Sequence, residues 1–127
     1  METLLRQGDD KKLVIQLLNP DNTPAVVGPA SANLVTNIRA ILFVGTDELA
    51  RYGLNPTTGY GELQFGTANN EVQCLVTREQ TLAMTKTGLL RWAVVVSYVD
   101  DDFPDGRDVS YEGTLGRFVQ SLGAKLN

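Results

Sequence analysis

The densest group of chemistry-bearing side chains is a single run, Asp100-Asp101-Asp102-Phe103-Pro104-Asp105-Gly106-Arg107-Asp108. Hard cations such as calcium draw several carboxylate oxygens from a flexible loop, and a glycine lets such a loop turn back on itself. Asp100, Asp102 and Asp105 are therefore the candidate metal ligands. The spacing departs from an EF-hand, which needs a glutamate at its twelfth position. The simpler reading is a solvated hairpin tip that keeps a sheet edge from pairing with another chain, so no resident cofactor is expected. Carboxylates facing each other across a cleft would serve glycoside hydrolysis, but these crowd into one loop.

Other catalytic chemistries have little to draw on. The chain has no histidine and one cysteine, Cys74. That excludes Ser–His and Cys–His catalysis and leaves no ligand set for a zinc, haem or iron–sulfur site. Cys74 alternates with Val72 and Val76, the setting of a small buried hydrophobe rather than a nucleophile. Gly8-Asp9-Asp10 and the stretch from Asn55 to Gly59 lack the lysine of a phosphate-binding loop. Trp92 with Tyr52, Tyr60, Tyr98 and Tyr111 would suit a carbohydrate-stacking platform, yet Trp92 shares its face with Val94 and Val96 and reads as core. No residue is nominated as catalytic, and no enzyme is expected.

The elements that would position these groups are strands. From Gly88 to Val99, Leu90, Trp92, Val94, Val96 and Tyr98 share one face while Leu89, Arg91, Ala93, Val95, Ser97 and Val99 share the other. A β-branched and aromatic run with one apolar face predicts a long, half-buried strand. The same alternation predicts strands over 11–18, 34–44, 60–66, 71–76 and 108–114, and a strand in preference to a helical turn over 48–54. Thr77 with Gln80 three residues on is a capping-box pattern and predicts a short helical crossover. Leu115, Phe118, Val119 and Leu122 fall at helical spacing, so 115–127 is expected as a C-terminal helix or arm. Its apolar residues are the candidate contacts with neighbouring subunits, against the alternative that the tail folds back onto its own domain. Pro, Gly and Asn turns join the strands at regular intervals. The expected fold is all-β, an Ig-like, Greek-key β-sandwich of about 6–8 strands.

Composition bounds the rest. At 127 residues the chain is one domain, and 43% hydrophobic with 20% charged residues is globular rather than disordered. A net charge of −4, with scattered basic residues, argues against a nucleic-acid footprint. The N-terminus turns polar too early for a signal peptide, and no apolar run approaches the ~20 residues that span a bilayer. A protein made in the cytoplasm, without a membrane partner, is expected.

The opening Leu5-Arg6-Gln7-Gly8-Asp9-Asp10 is followed by KKLVIQLLNPDNTPAVV, by NIRAILFV, by TREQTLAMTKTGLLRWAVVVSYVD and by an acidic hairpin, DDDFPDGRDVSYEG. This order of strands and turns resembles phage virion β-sandwich modules. It is most similar to the Ig-like N-terminal domains of baseplate upper proteins and to head-fibre and tail-associated proteins of Bacteroidetes phages. The resemblance covers roughly residues 3–114 and carries no catalytic residues. It implies a virion structural protein that assembles in multiple copies with itself and with other virion proteins. Larger fibre proteins continue into coiled-coil and receptor-binding parts, whereas this sequence stops at Asn127. The expectation is therefore an adaptor, ring or decoration component of portal, tail, baseplate or capsid. The alternative is a small carbohydrate- or calcium-dependent binding module using the acidic loop and the tyrosines.

Overall fold

In the computed structural model, which describes residues 3–27, 34–54 and 58–120, the inner face of strand β7 (Gly88–Val99) sits at the centre of the core. Leu90, Val94 and Val96 are fully buried, Tyr98 and Trp92 nearly so, and the intervening residues face outward. Strand β7 pairs antiparallel with β3 (Leu34–Val44) on one side and with β8 (Arg107–Val119) on the other. In β3 the apolar face is Ile38, Ala40, Leu42 and Val44, all buried.

The chain order is β1 (Thr3–Arg6), β2 (Lys11–Gln16), β3, β4 (Asp47–Gly53), β5 (Gly61–Phe65), β6 (Glu71–Val76), α1 (Arg78–Ala83), β7 and β8. The eight strands form one sheet in the order β1-β8-β7-β3-β4-β5-β6-β2. Eight strands and one short helix make the all-β fold expected from the alternation. The two layers are continuous: β4 and β5 pair in parallel through only Tyr52↔Gly61 and Gly53↔Glu62, and the sheet folds over at that narrow join. Its two end strands, β1 and β2, follow one another in the chain, so the turn at Gln7–Asp10 brings the ends side by side. The sheet is thereby curled into a nearly closed barrel.

Helix α1 packs beside β4 and the β1–β2 turn. The capping box forms as its sequence predicts: the Thr77 hydroxyl accepts from the Gln80 backbone N–H, and Gln80 Oε1 accepts from the Thr77 N–H. Gln80 Oε1 also accepts from the Tyr52 hydroxyl at 2.7 Å. Buried Thr81 accepts from the Gly8 N–H at 2.9 Å and donates to Asp9 O at 3.0 Å. Gln7 Nε2 donates to the carbonyls of Leu82 and Met84. One short helix thus holds the β1–β2 turn in place through partly buried bonds.

Two glycines admit close approaches. A Cβ on Gly113 would lie 2.8 Å from the Trp92 ring, which packs across the ladder onto the bare backbone of its partner. A Cβ on Gly116 would collide with the carbonyl oxygen of Thr3, so this glycine is what lets β1 lie parallel against β8.

The structure corrects the reading of the C-terminal segment. Leu115, Phe118 and Val119 belong to β8 and not to a helix or arm. Phe118 is fully buried, which removes it from any contact with another subunit; Leu115 and Val119 are half-buried. Leu122 lies outside the described residues, as do residues 28–33 and 55–57. Strand β1, too short to show alternation, was not foreseen; β8 extends five residues beyond the expected end at Thr114.

Because Phe118 packs in the core, Phe118→Ala should cost about 3–5 kcal/mol of stability in a urea or guanidinium melt. An unchanged midpoint would return Phe118 to the surface.

Candidate functional site

The acidic run forms the turn between β7 and β8, and its geometry is that of a self-satisfied hairpin tip. Asp100 Oδ1 accepts from the Phe103 N–H at 2.8 Å, and Oδ2 accepts from Arg107 Nε at 2.8 Å. The guanidinium of Arg107 also lies 5.7 Å from the Tyr98 ring centre and 5.9 Å from that of Phe103. Asp102 and Asp105 stand exposed and are not brought to Asp100. Among the described residues no three His, Cys, Asp or Glu side chains gather as a metal site requires. The carboxylate best placed to be a ligand is occupied in shaping the turn.

Cys74 is free and buried, opposite Leu13 on one flank and Leu63 on the other. Burial pushes its thiol up to about 12, because the thiolate would have no solvation there. Tyr52 is fully buried, Tyr98 is buried and Tyr60 is exposed; burial raises the hydroxyl pKa of both Tyr52 and Tyr98. The four tyrosines form no common platform. On the outer face, Arg39 and Arg51 border a shallow depression of about 310 Å³ near Tyr60. Each is already paired, Arg39 with Asp108 at 3.6 Å and Arg51 with Glu48 at 2.9 Å, and exposed pairs of this kind contribute ~0–1 kcal/mol.

The feature that alternation could not reveal is the seam where the barrel fails to close. Strand β1 covers the edge of β8 only from Gly116 to Val119. Before that point, β8 from Arg107 to Leu115 has no strand partner on this side among the described residues, and across the gap lies β2, the last strand at the other end of the sheet. Leu17 N–H bonds Asn70 O, so by the alternation of an antiparallel ladder the odd residues of β2 bond to β6. The backbone groups of Lys12, Val14 and Gln16 therefore point into the gap.

Two adjoining depressions of about 340 and 440 Å³ run along this seam and share Gln16, Leu18 and Trp92. Side-chain burial follows the missing wall. On the inward face of β8, Phe118 is fully buried where β1 covers it, whereas Val109, Tyr111 and Leu115 are only half-buried along the open stretch. Trp92 retains 9% of its surface there, and Val14 and Leu18 on the β2 side are 44% and 46% exposed. The result is an apolar groove between two strand edges that are unpaired among the described residues, which is the geometry that accepts an added strand. Of the sequence candidates, Leu115 lies in this groove and Phe118 does not.

No family model matches the chain, and no curated protein or solved structure is significantly similar to it.

The buried thiol yields a pH prediction. Its folded pKa lies above the unfolded value of ~8.5, so its contribution to stability is complete below that pH and is lost as pH rises toward 12. The denaturation midpoint should fall between pH 8 and about 10, less steeply in Cys74→Ala, and iodoacetamide at pH 8 should label Cys74 only in denaturant.

Proposed function

We propose that this chain is a non-enzymatic structural protein of a phage virion, working as an adaptor, ring or decoration component that assembles in copies. The observation that carries the assembly role is the open seam: two strand edges without a strand partner among the described residues, flanked by exposed Val14 and Leu18. Main-chain pairing at such an edge supplies affinity, and alternate side chains entering the groove supply register. The virion setting rests on the resemblance of the strand-and-turn order to phage β-sandwich modules. Partners in this reading are further copies of the chain and other virion proteins, and its location is the particle.

The chemistry of the molecule agrees with this role. Its titratable groups are dispersed, paired on the surface or engaged in turns, whereas its unfilled valences are backbone edges and apolar surface. Those are the means of assembly rather than of bond-making.

Mass photometry of the purified chain across micromolar concentrations should show oligomers, and purified particles should contain the chain in many copies. A persistent monomer that is absent from particles would sink the proposal. Val14→Lys with Leu18→Lys places charge on both exposed seam positions and should dissociate the oligomers while leaving the melting temperature within a degree or two, since exposed substitutions change stability by only about 0.5 kcal/mol.

A further inference from the structure

We infer that the outer face of the β3–β7–β8 layer is a second assembly surface, covered by the same face of a second copy lying antiparallel to it about a two-fold axis. This rests on the assembly reading above and uses a surface distinct from the seam.

An antiparallel strand with one face in water alternates apolar and polar residues. The two central strands break that rule: β3 runs Ala40-Ile41-Leu42-Phe43-Val44, and β7 runs Ala93-Val94-Val95-Val96. Their even-numbered residues fill the core. The odd-numbered Ile41, Phe43, Ala93 and Val95 take the outer face and are half-buried, and Leu89 beyond them is 46% exposed. The ladder sets these groups side by side, with Ile41 opposite Ala93. Ile41, Ala93 and Val95 also floor the depression that Arg39 and Arg51 border. A run that is apolar on both sides is the pattern of a strand covered on both.

The charge along this face is opposite at its two ends. Arg39 and Arg51 are answered in place, by Asp108 and Glu48. Arg91 and Arg117, at the end where β7 begins, are exposed and have no carboxylate partner among the described residues. At the other end the β7–β8 turn holds Asp101, Asp102 and Asp105, exposed and without a cationic partner among the described residues, around Phe103 at 52% exposure. The midpoint between Arg91 and Asp101 adjoins Val95, and that between Arg117 and Asp105 is Tyr111, opposite Val94. The two charged ends are therefore balanced about the apolar floor. Glu112, opposite Ala93, stands on the β8 rim beside that centre and favours neither end. A two-fold axis through the floor lays apolar floor on apolar floor and sets each acidic turn over the other copy's basic end. A parallel stack would set like charges together. Sheets packed face to face stand ~10 Å apart with their strands aligned within about 30°. Such a contact is isologous and closes at two copies, which leaves the seam to extend the assembly.

The test uses the full-length chain carrying Val14→Lys and Leu18→Lys, which breaks larger oligomers at the seam and should leave this pair as a dimer in sedimentation velocity. Two variants are made in that background. Arg91→Glu with Arg117→Glu turns the basic end acidic, and Asp101→Lys with Asp102→Lys turns the acidic end basic. Each alone should self-associate at least about tenfold more weakly, because like charges then meet at both ends. Mixed one to one, the two should form a heterodimer as tight as the parent pair, since every end again meets its opposite. All four positions are exposed, so melting temperatures should stay within about two degrees, and heterodimer formation itself reports that both chains are folded. A seam-substituted parent that is monomeric would overturn the two-fold pairing while leaving the assembly reading intact. So would charge variants that dimerise alone as tightly as the parent, or a mixture that stays monomeric. A wild-type chain that is monomeric at every concentration would overturn both.

Discussion

A sheet in which every strand has one apolar and one wet side can bury the apolar side only by curling until it faces itself. That constraint organises this molecule. The inner face of β7, with Leu90, Val94 and Val96 fully buried, is the surface around which the curl closes, and β3 and β8 take their register from it. Two glycines admit close approaches within it. The bare backbone of Gly113 receives the Trp92 ring, and Gly116 lets β1 dock against the end of β8. Helix α1 then ties the β1–β2 turn across one end through Thr81, Gln7 and Gln80.

Among the described residues the same closure fails along the seam between β8 and β2. Strand β1 supplies four residues where β8 offers thirteen, so most of the β8 edge has no partner within the described residues. The core registers the gap as a gradient of burial along β8, from Phe118 under β1 to the half-covered Tyr111 and Val109. Of the groups that suggested ion or sugar binding, Asp100 holds the turn, and Tyr52, Tyr98 and Trp92 pack in the core. The seam leaves apolar side chains of β8 and β2 partly exposed.

Much of this was legible in the residues. Long strands with a clean period of two, β3 and β7, are visible because one face is buried along nearly their whole length. The capping box at Thr77 and Gln80 was equally plain, since it depends on residues three apart. The C-terminal segment misled for a physical reason. The β7–β8 register slips between Leu90 and Arg91, leaving Leu115 as an extra residue in β8. That bulge places Leu115 and Phe118 toward the core three residues apart, a spacing that imitates a helix.

What the sequence by itself determined is the all-β class, the identity of the buried faces, the crossover helix and the solvated nature of the acidic turn. Each of these follows from interactions within a few residues of chain, or from the alternation that one buried face imposes. The order of strands in the sheet, the parallel placement of β1, the second role of Gln80 beneath Tyr52 and the seam between β2 and β8 were decided only by the tertiary structure. Those features depend on which distant edges meet when the sheet curls. An edge left unpaired is a property of two strands about a hundred residues apart, and no local pattern encodes it.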